Sequence, residues 1–147
     1  MFLVSTRCGL IACRYLVQCF YNESYVAAPD IAEKYNMNVR ALMPALRQLT
    51  RAGILRSRTG GKEPGFIFSR NPDSISLLEV LVALEGEAEM RCCKDVIPSL
   101  KCDCESNVEC SIFSLFDGML EQVKKKLGQI SIKDHAHSKN LNRADIM

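Results

Sequence analysis

Five of the chain's eight cysteines, Cys92, Cys93, Cys102, Cys104 and Cys110, fall within one stretch, CCKDVIPSLKCDCESNVEC. Between them stand Lys94, Asp95, Lys101, Asp103, Glu105 and Glu109, side chains that favour water over a hydrophobic core. Thiols crowded on a polar segment suit a soft metal ion, an iron–sulfur cluster or disulfide chemistry. The other three, Cys8, Cys13 and Cys19, occupy an apolar N-terminal segment. Free cysteine is among the most buried residue types, so Cys13 and Cys19 are expected in the core. His135 and His137, the only histidines, are expected to be solvated. No Ser/His/Asp set and no Walker-type phosphate loop is present. No Cys-x-x-Cys occurs, the spacing a thiol oxidoreductase would use. The pattern does not predict an enzyme.

The basic residues form a second pattern. From Lys34 to Lys62 run Lys34, Arg40, Arg47, Arg51, Arg56, Arg58 and Lys62, with no Asp or Glu among them. That span therefore carries +7, and since the whole chain is +2, the remainder carries −5. A localised basic stripe of this kind is the footprint of a protein that binds the phosphate backbone of nucleic acid.

These groups need elements to position them. Residues 7–21 predict a first helix, with Leu10, Ile11, Leu16, Val17 and Phe20 available to pack. Pro29 and Asp30 suit the first turn of a short second helix ending near Tyr35. Asn38 is a good N-cap for a third helix reaching Ala52, with Leu42, Leu46 and Leu49 on one stripe and Arg40, Arg47 and Arg51 off it. Pro44 falls inside that helix, so the helix is expected to start later, near Ala41 or Leu42, or to kink. Gly53 is a natural stop. Ile54–Arg58 and Phe66–Phe68 read as two strands around a glycine-containing loop. Helix, short helix, turn, helix and two-stranded ribbon make a winged helix-turn-helix.

Ser76 and Glu79 form a capping-box pattern for the next helix, through about Leu84. Beyond the cysteines, Ser111 is expected to cap a last long helix that stops at Gly128. Its apolar positions are Ile112, Phe116, Met119, Leu120, Val123 and Leu127. The expected organisation is a DNA-binding unit over 1–84, a cysteine loop and dimerisation helix over 85–128, and a flexible tail over 129–147. The apolar N-terminus is broken by Arg7 and Arg14, unlike a signal peptide. No run reaches the roughly 18 apolar residues of a membrane span. A cytoplasmic chain is expected, where thiols stay reduced and a cysteine cluster favours metal or redox roles over stapling.

Five segments in order resemble one group of bacterial transcription regulators, the IscR/NsrR/CymR-type or Rrf-two family. They are Pro29-Asp-Ile-Ala-Glu33, Leu49-Thr-Arg-Ala-Gly-Ile-Leu-Arg-Ser57, Gly65-Phe66, Ser76-Leu-Leu-Glu-Val80 and the cysteines. The resemblance covers about residues 1–128. It implies a mainly α fold with a small β-wing and a long C-terminal dimerisation helix, binding double-stranded DNA as a homodimer, with no membrane partner. It also implies an iron–sulfur cluster (2Fe–2S or 4Fe–4S) held by Cys93, by Cys104 or Cys102, and by Cys110. Cys8 of the second subunit is the corresponding position for a fourth ligand. The interval after Cys93 is longer than the usual family pattern. The implied function is a regulator, a repressor by preference, that senses redox, nitric oxide or iron status. The alternative is a cluster-free member answering a thiol metabolite or partner protein. Arg40, Arg47 and Arg51 on the third helix and Arg58 and Lys62 on the wing are the expected DNA contacts.

Overall fold

Thr6, Gly9, Ala12, Cys13, Leu16 and Val17 are buried along α1 (Val4–Tyr21), the spacing of one helical face. In the computed structural model, which describes residues 2–104 and 109–137, this helix forms the spine of the molecule. Gly9 sets how closely its neighbour approaches: a Cβ there would lie 2.8 Å from the Cβ of Ala45. α2 (Ala28–Tyr35) starts with its proline in the first turn and closes on Asn36, which takes a left-handed conformation at φ 50°.

Asn38 caps α3 (Val39–Arg51) as its side chain predicts, with Oδ1 accepting from the Arg40 amide at 2.8 Å. The helix does not start later to avoid Pro44; it begins at Val39 and carries the proline inside. Pro44 has no N–H for the carbonyl one turn back. Leu42, Ala45, Leu46 and Leu49 are all buried to 0% exposure. Complete burial of a leucine is worth about 1.5–3 kcal/mol, enough for this stripe to hold the helix through one missing bond.

β1 (Leu55–Arg58) and β2 (Gly65–Phe68) pair antiparallel, from Leu55 opposite Phe68 to Arg58 opposite Gly65. A short bridge extends this wing. The Val26 amide donates to the Phe66 carbonyl at 3.0 Å and the Phe66 amide returns to Val26 at 2.8 Å. Gly65 makes the approach possible, since its φ is +147° and a Cβ would fall 2.3 Å from the Val26 carbonyl.

α4 (Leu77–Glu85) opens on the full capping box: the Glu79 amide donates to Ser76 Oγ at 3.1 Å, and the Ser76 amide donates to Glu79 Oε2 at 2.8 Å. A four-residue helix, α5 (Cys93–Val96), precedes the cysteine loop. α6 (Ser111–Gln129) is capped by Cys110 rather than Ser111 and continues through Gly128.

The expected flexible tail differs from the structure over residues 130–137. The Leu77 amide donates to the Ile130 carbonyl and the Ile132 amide to the Ile75 carbonyl, both at 2.8 Å. α7 (Ile132–His137) then lies against α1, with Ile132 fully buried. Ile132 reaches the core, and Ile130 and Ala136 pack against it, so this largely polar segment is held in place. Residues 138–147 of that expected tail lie outside the described residues. The architecture is mainly α with a two-stranded wing, as expected. Among the described residues no helix is long and apolar enough to cross a membrane.

Candidate nucleic-acid face and cysteine loop

Arg40, Arg47 and Arg51 recur at intervals of seven and four residues, which places them on one edge of a 3.6-residue helix. Leu42, Leu46 and Leu49 occupy the opposite side and are buried, while the three arginines are exposed. Burial of the leucines therefore points the arginines outward. Arg56, Arg58 and Lys62 are exposed on the wing. Arg58 is already engaged within the fold. Its guanidinium stacks 4.1 Å from the centre of the Tyr25 ring, Nε donates to the Glu63 carbonyl at 3.0 Å, and the Glu63 carboxylate lies 3.7 Å away. Tyr25 and Glu63 did not stand out in the sequence. Tyr25 is distant from the wing in the chain, and only the Val26–Phe66 bridge brings it there.

The structure sorts the cysteines. Cys13 is sealed in the core, where burial pushes its thiol up to about 12. Cys19 is buried too, and burial again raises its pKa. Cys8 is half-buried on α1 against the core. Cys92 precedes α5 and Cys93 is its exposed first residue. Cys102, Cys104 and Cys110 come together instead. Hydrogen bonding from Cys104, backbone first and then side chain, holds the Cys102 thiol below its ordinary value. Cys104 itself is pushed up to about 11, because its proton is shared with Cys102 and its anion would face the sulfurs of Cys102 and Cys110. Lys94 Nζ donates to the Cys104 carbonyl at 3.0 Å, tying α5 to the loop. Cys110 Sγ accepts the Phe113 amide at 3.4 Å, so this sulfur faces the positive end of a helix.

Three sulfurs on one polar loop, one of them an N-cap, fit the donor chemistry of a thiophilic metal or an iron–sulfur cluster. Among the described residues no group of three or more His, Cys, Asp or Glu side chains is placed to hold a metal ion. The set implied by resemblance is Cys93, Cys104 or Cys102, and Cys110; Cys102, Cys104 and Cys110 are the three whose thiols influence one another here. His135 is not solvated as expected. Its Nε2 donates to the Leu10 carbonyl at 3.2 Å, and burial lowers its pKa.

Along α6 the side chains of Ile112, Leu115, Phe116, Met119 and Val123 are all at least half exposed. An open groove of about 420 Å³ separates the C-terminal half of α6 from α4, lined by Leu78, Leu81, Val82, Leu120, Val123 and Leu127.

Comparison with known proteins decides the family. The model of Rrf2, described as an iron-dependent transcriptional regulator, matches residues 5–138. The chain belongs to the Rrf2 family. It is a family of transcriptional regulators rather than enzymes. Two curated proteins are similar, each described as an HTH-type transcriptional regulator. BadM of Rhodopseudomonas palustris is 36% identical over 81 residues, 55% of this chain and 50% of that protein. The match thus spans half the length of that relative. YwnA of Bacillus subtilis is 29% identical over 104 residues, 71% of this chain and 76% of that protein. Among solved structures, CymR, titled the global cysteine regulator of B. subtilis, superposes with a TM-score of 0.71 at 21% identity, covering 95% of this chain and 98% of its own. T. potens IscR gives a TM-score of 0.71 at 21% identity, covering 100% and 96%. The Rrf2 winged-helix fold is shared throughout.

Proposed function

We propose that this Rrf2 protein is a cytoplasmic transcription regulator, a repressor by preference, that binds double-stranded DNA as a homodimer and reports redox, nitric oxide or iron status through its cysteine loop. The observation that carries the DNA reading is the acid-free arginine edge of α3, held outward by the buried leucines behind it. Arg40, Arg47 and Arg51 face the duplex from α3, with Arg58 and Lys62 on the wing. Arginine reads guanine edges bidentately, and phosphate contacts add affinity that weakens with salt. The winged helix-turn-helix over 1–84 makes these contacts. The segment 85–128 senses and pairs, with the exposed α6 stripe seating a second copy.

Cys102, Cys104 and Cys110 are the proposed ligands on this chain, with Cys93 as the alternate and Cys8 of a second subunit as the completing position. A bound iron–sulfur cluster would supply sensitivity to oxygen, nitric oxide and iron supply. The chain's own part is to present thiolates, to cap α6 with Cys110, and to order the loop when the three sulfurs share one partner. Order in the loop then biases the position of α6. A second reading, a cluster-free thiol sensor, is favoured by one observation: Cys102 and Cys104 are adjacent thiols that shift in opposite directions, Cys102 down and Cys104 up.

Selection of genomic fragments at low salt, on protein purified without oxygen, tests the DNA reading. Retained fragments that dissociate steeply with salt support it; none retained in either metal-loaded or metal-free form overturns it. Visible absorption of the same preparation separates the two sensing readings. Cys102→Ser, Cys104→Ser and Cys110→Ser should each bleach it while Cys13→Ser leaves it. A colourless, iron-free protein after attempted reconstitution favours the thiol sensor.

A further inference from the structure

Arg58 lies at the end of β1, opposite Gly65, and so at the base of the wing loop. Three contacts converge on it. The Tyr25 ring lies flat under the guanidinium at 4.1 Å, within the range of a cation–π contact. The Glu63 carbonyl takes its Nε proton at 3.0 Å. The Glu63 carboxylate stands 3.7 Å from a terminal nitrogen, and both side chains of this pair are about half exposed. Such an exposed ion pair is weak and yields readily to a stronger anion.

The Tyr25 seat is different in kind. Its neighbour Val26 exchanges two hydrogen bonds with Phe66, and the missing Cβ of Gly65 lets that strand approach. The ring is thus fixed to the ribbon that carries Arg58. Among the described residues, Arg40, Arg47 and Arg51 on α3 carry no comparable aromatic seat.

From this geometry we propose that Tyr25 is a positioning residue that holds the Arg58 guanidinium ready for a DNA phosphate, and that Glu63 is a guard anion which the phosphate displaces. This rests on the DNA-binding reading above. In the free protein Glu63 neutralises Arg58 and lowers attraction to any duplex. On contact, a phosphate oxygen replaces the carboxylate while the stack on Tyr25 persists. Arginine pre-organised in this way loses less side-chain freedom when it binds. The wing contact is then available only where α3 and the backbone together bring a phosphate close enough to compete with Glu63.

The test uses the full chain and a short mixed-sequence duplex, followed by fluorescence anisotropy across a salt series. Removing one phosphate contact lowers the slope of log affinity against log salt by about 0.9. Arg58→Ala, which removes one such contact from each subunit of the dimer, should show twice that loss, about 1.8. Tyr25→Leu should match it, Tyr25→Phe should retain the wild-type slope, and Tyr25→Leu combined with Arg58→Ala should be no worse than Arg58→Ala alone. Glu63→Gln should tighten binding to the mixed-sequence duplex at low salt and converge on wild type at high salt. A wild-type slope in Tyr25→Leu, or unchanged affinity in Glu63→Gln, overturns the proposal. The Glu63 measurement is on an exposed loop, so it decides even where Tyr25→Leu folds poorly. A wild-type protein that binds no duplex at any salt overturns the DNA reading itself; wild-type binding with indifferent variants overturns only the role of Tyr25 and Glu63.

Discussion

Replacing Gly65 with alanine should detach the wing from the segment before α2. An added Cβ would sit 2.3 Å from both the carbon and the oxygen of the Val26 carbonyl and 2.7 Å from the Ala27 nitrogen, all of them backbone atoms. No rotamer change relieves such a contact. The two strands must part, and the pair of hydrogen bonds between Val26 and Phe66, at 3.0 and 2.8 Å, goes with them. Two backbone hydrogen bonds contribute about 1 kcal/mol each. Holding a side chain at φ +147° adds roughly 1–3 kcal/mol of strain. The sum, about 3–5 kcal/mol, corresponds to a fall of roughly 10 °C in melting temperature for a chain of this length. Gly60 is the control. It also has a positive φ, of +77°, but a Cβ there meets nothing within 4 Å, so Gly60→Ala should cost only about 1–2 kcal/mol. Thermal and urea unfolding would measure the difference, and amide exchange at Val26 and Phe66 would locate it in the wing. Equal destabilisation by the two substitutions would refute the argument that backbone approach, rather than φ alone, makes Gly65 necessary.

Ile132→Ala should destabilise the protein by about 2–5 kcal/mol, the cost of a cavity in a closed core, because Ile132 is fully buried although its sequence neighbours are polar; unchanged urea unfolding would show that α7 does not belong to the core. His135 has a depressed folded pKa, so the unfolded chain takes up more protons around its ordinary value of 6.5. Its contribution to stability is therefore full above that value and falls as pH drops below it, and His135→Gln should flatten that acid-side loss in melting temperature. Phe116→Glu together with Val123→Glu should give a folded monomer by light scattering with little duplex affinity, since both side chains are about half exposed on α6; a dimer of wild-type mass would move the interface elsewhere.

Local chemistry that completes itself within a few residues was legible from sequence. Asn38 and the Ser76–Glu79 pair cap their helices as their side-chain chemistry predicts, and the wing follows from two short apolar runs around a glycine loop. Contacts between distant segments were not. Cys110 displaced Ser111 as the α6 cap, because a sulfur can accept the Phe113 amide, although thiols are rare in that role. Gly128 did not stop the helix, since Leu127 packs against the core and a Cβ at Gly128 would already touch Leu78 at 3.8 Å. The ordered segment 130–137 was hidden because two isoleucines and an alanine among polar residues give no sustained helical periodicity. Likewise, spacing alone could not choose among the loop cysteines. Cys102, Cys104 and Cys110 influence one another's thiols, which is a relation between side chains that spacing does not show.

The bonds from Ile130 and Ile132 back to residues 75–77 fasten the far end of α6, beside its packing on α4. Its 19 residues make an arm about 28 Å long, with the sulfurs at the tip and the winged domain at the pivot. A tilt of about 10° about that pivot moves Cys110 by about 5 Å on an arm of this length. Read in the other direction, a loop displacement of several ångströms turns the winged domain through only a small angle. Such an arm trades travel at the tip for torque at the pivot, so a small displacement at the sulfur end can apply firm leverage to the winged domain that carries the arginines of α3.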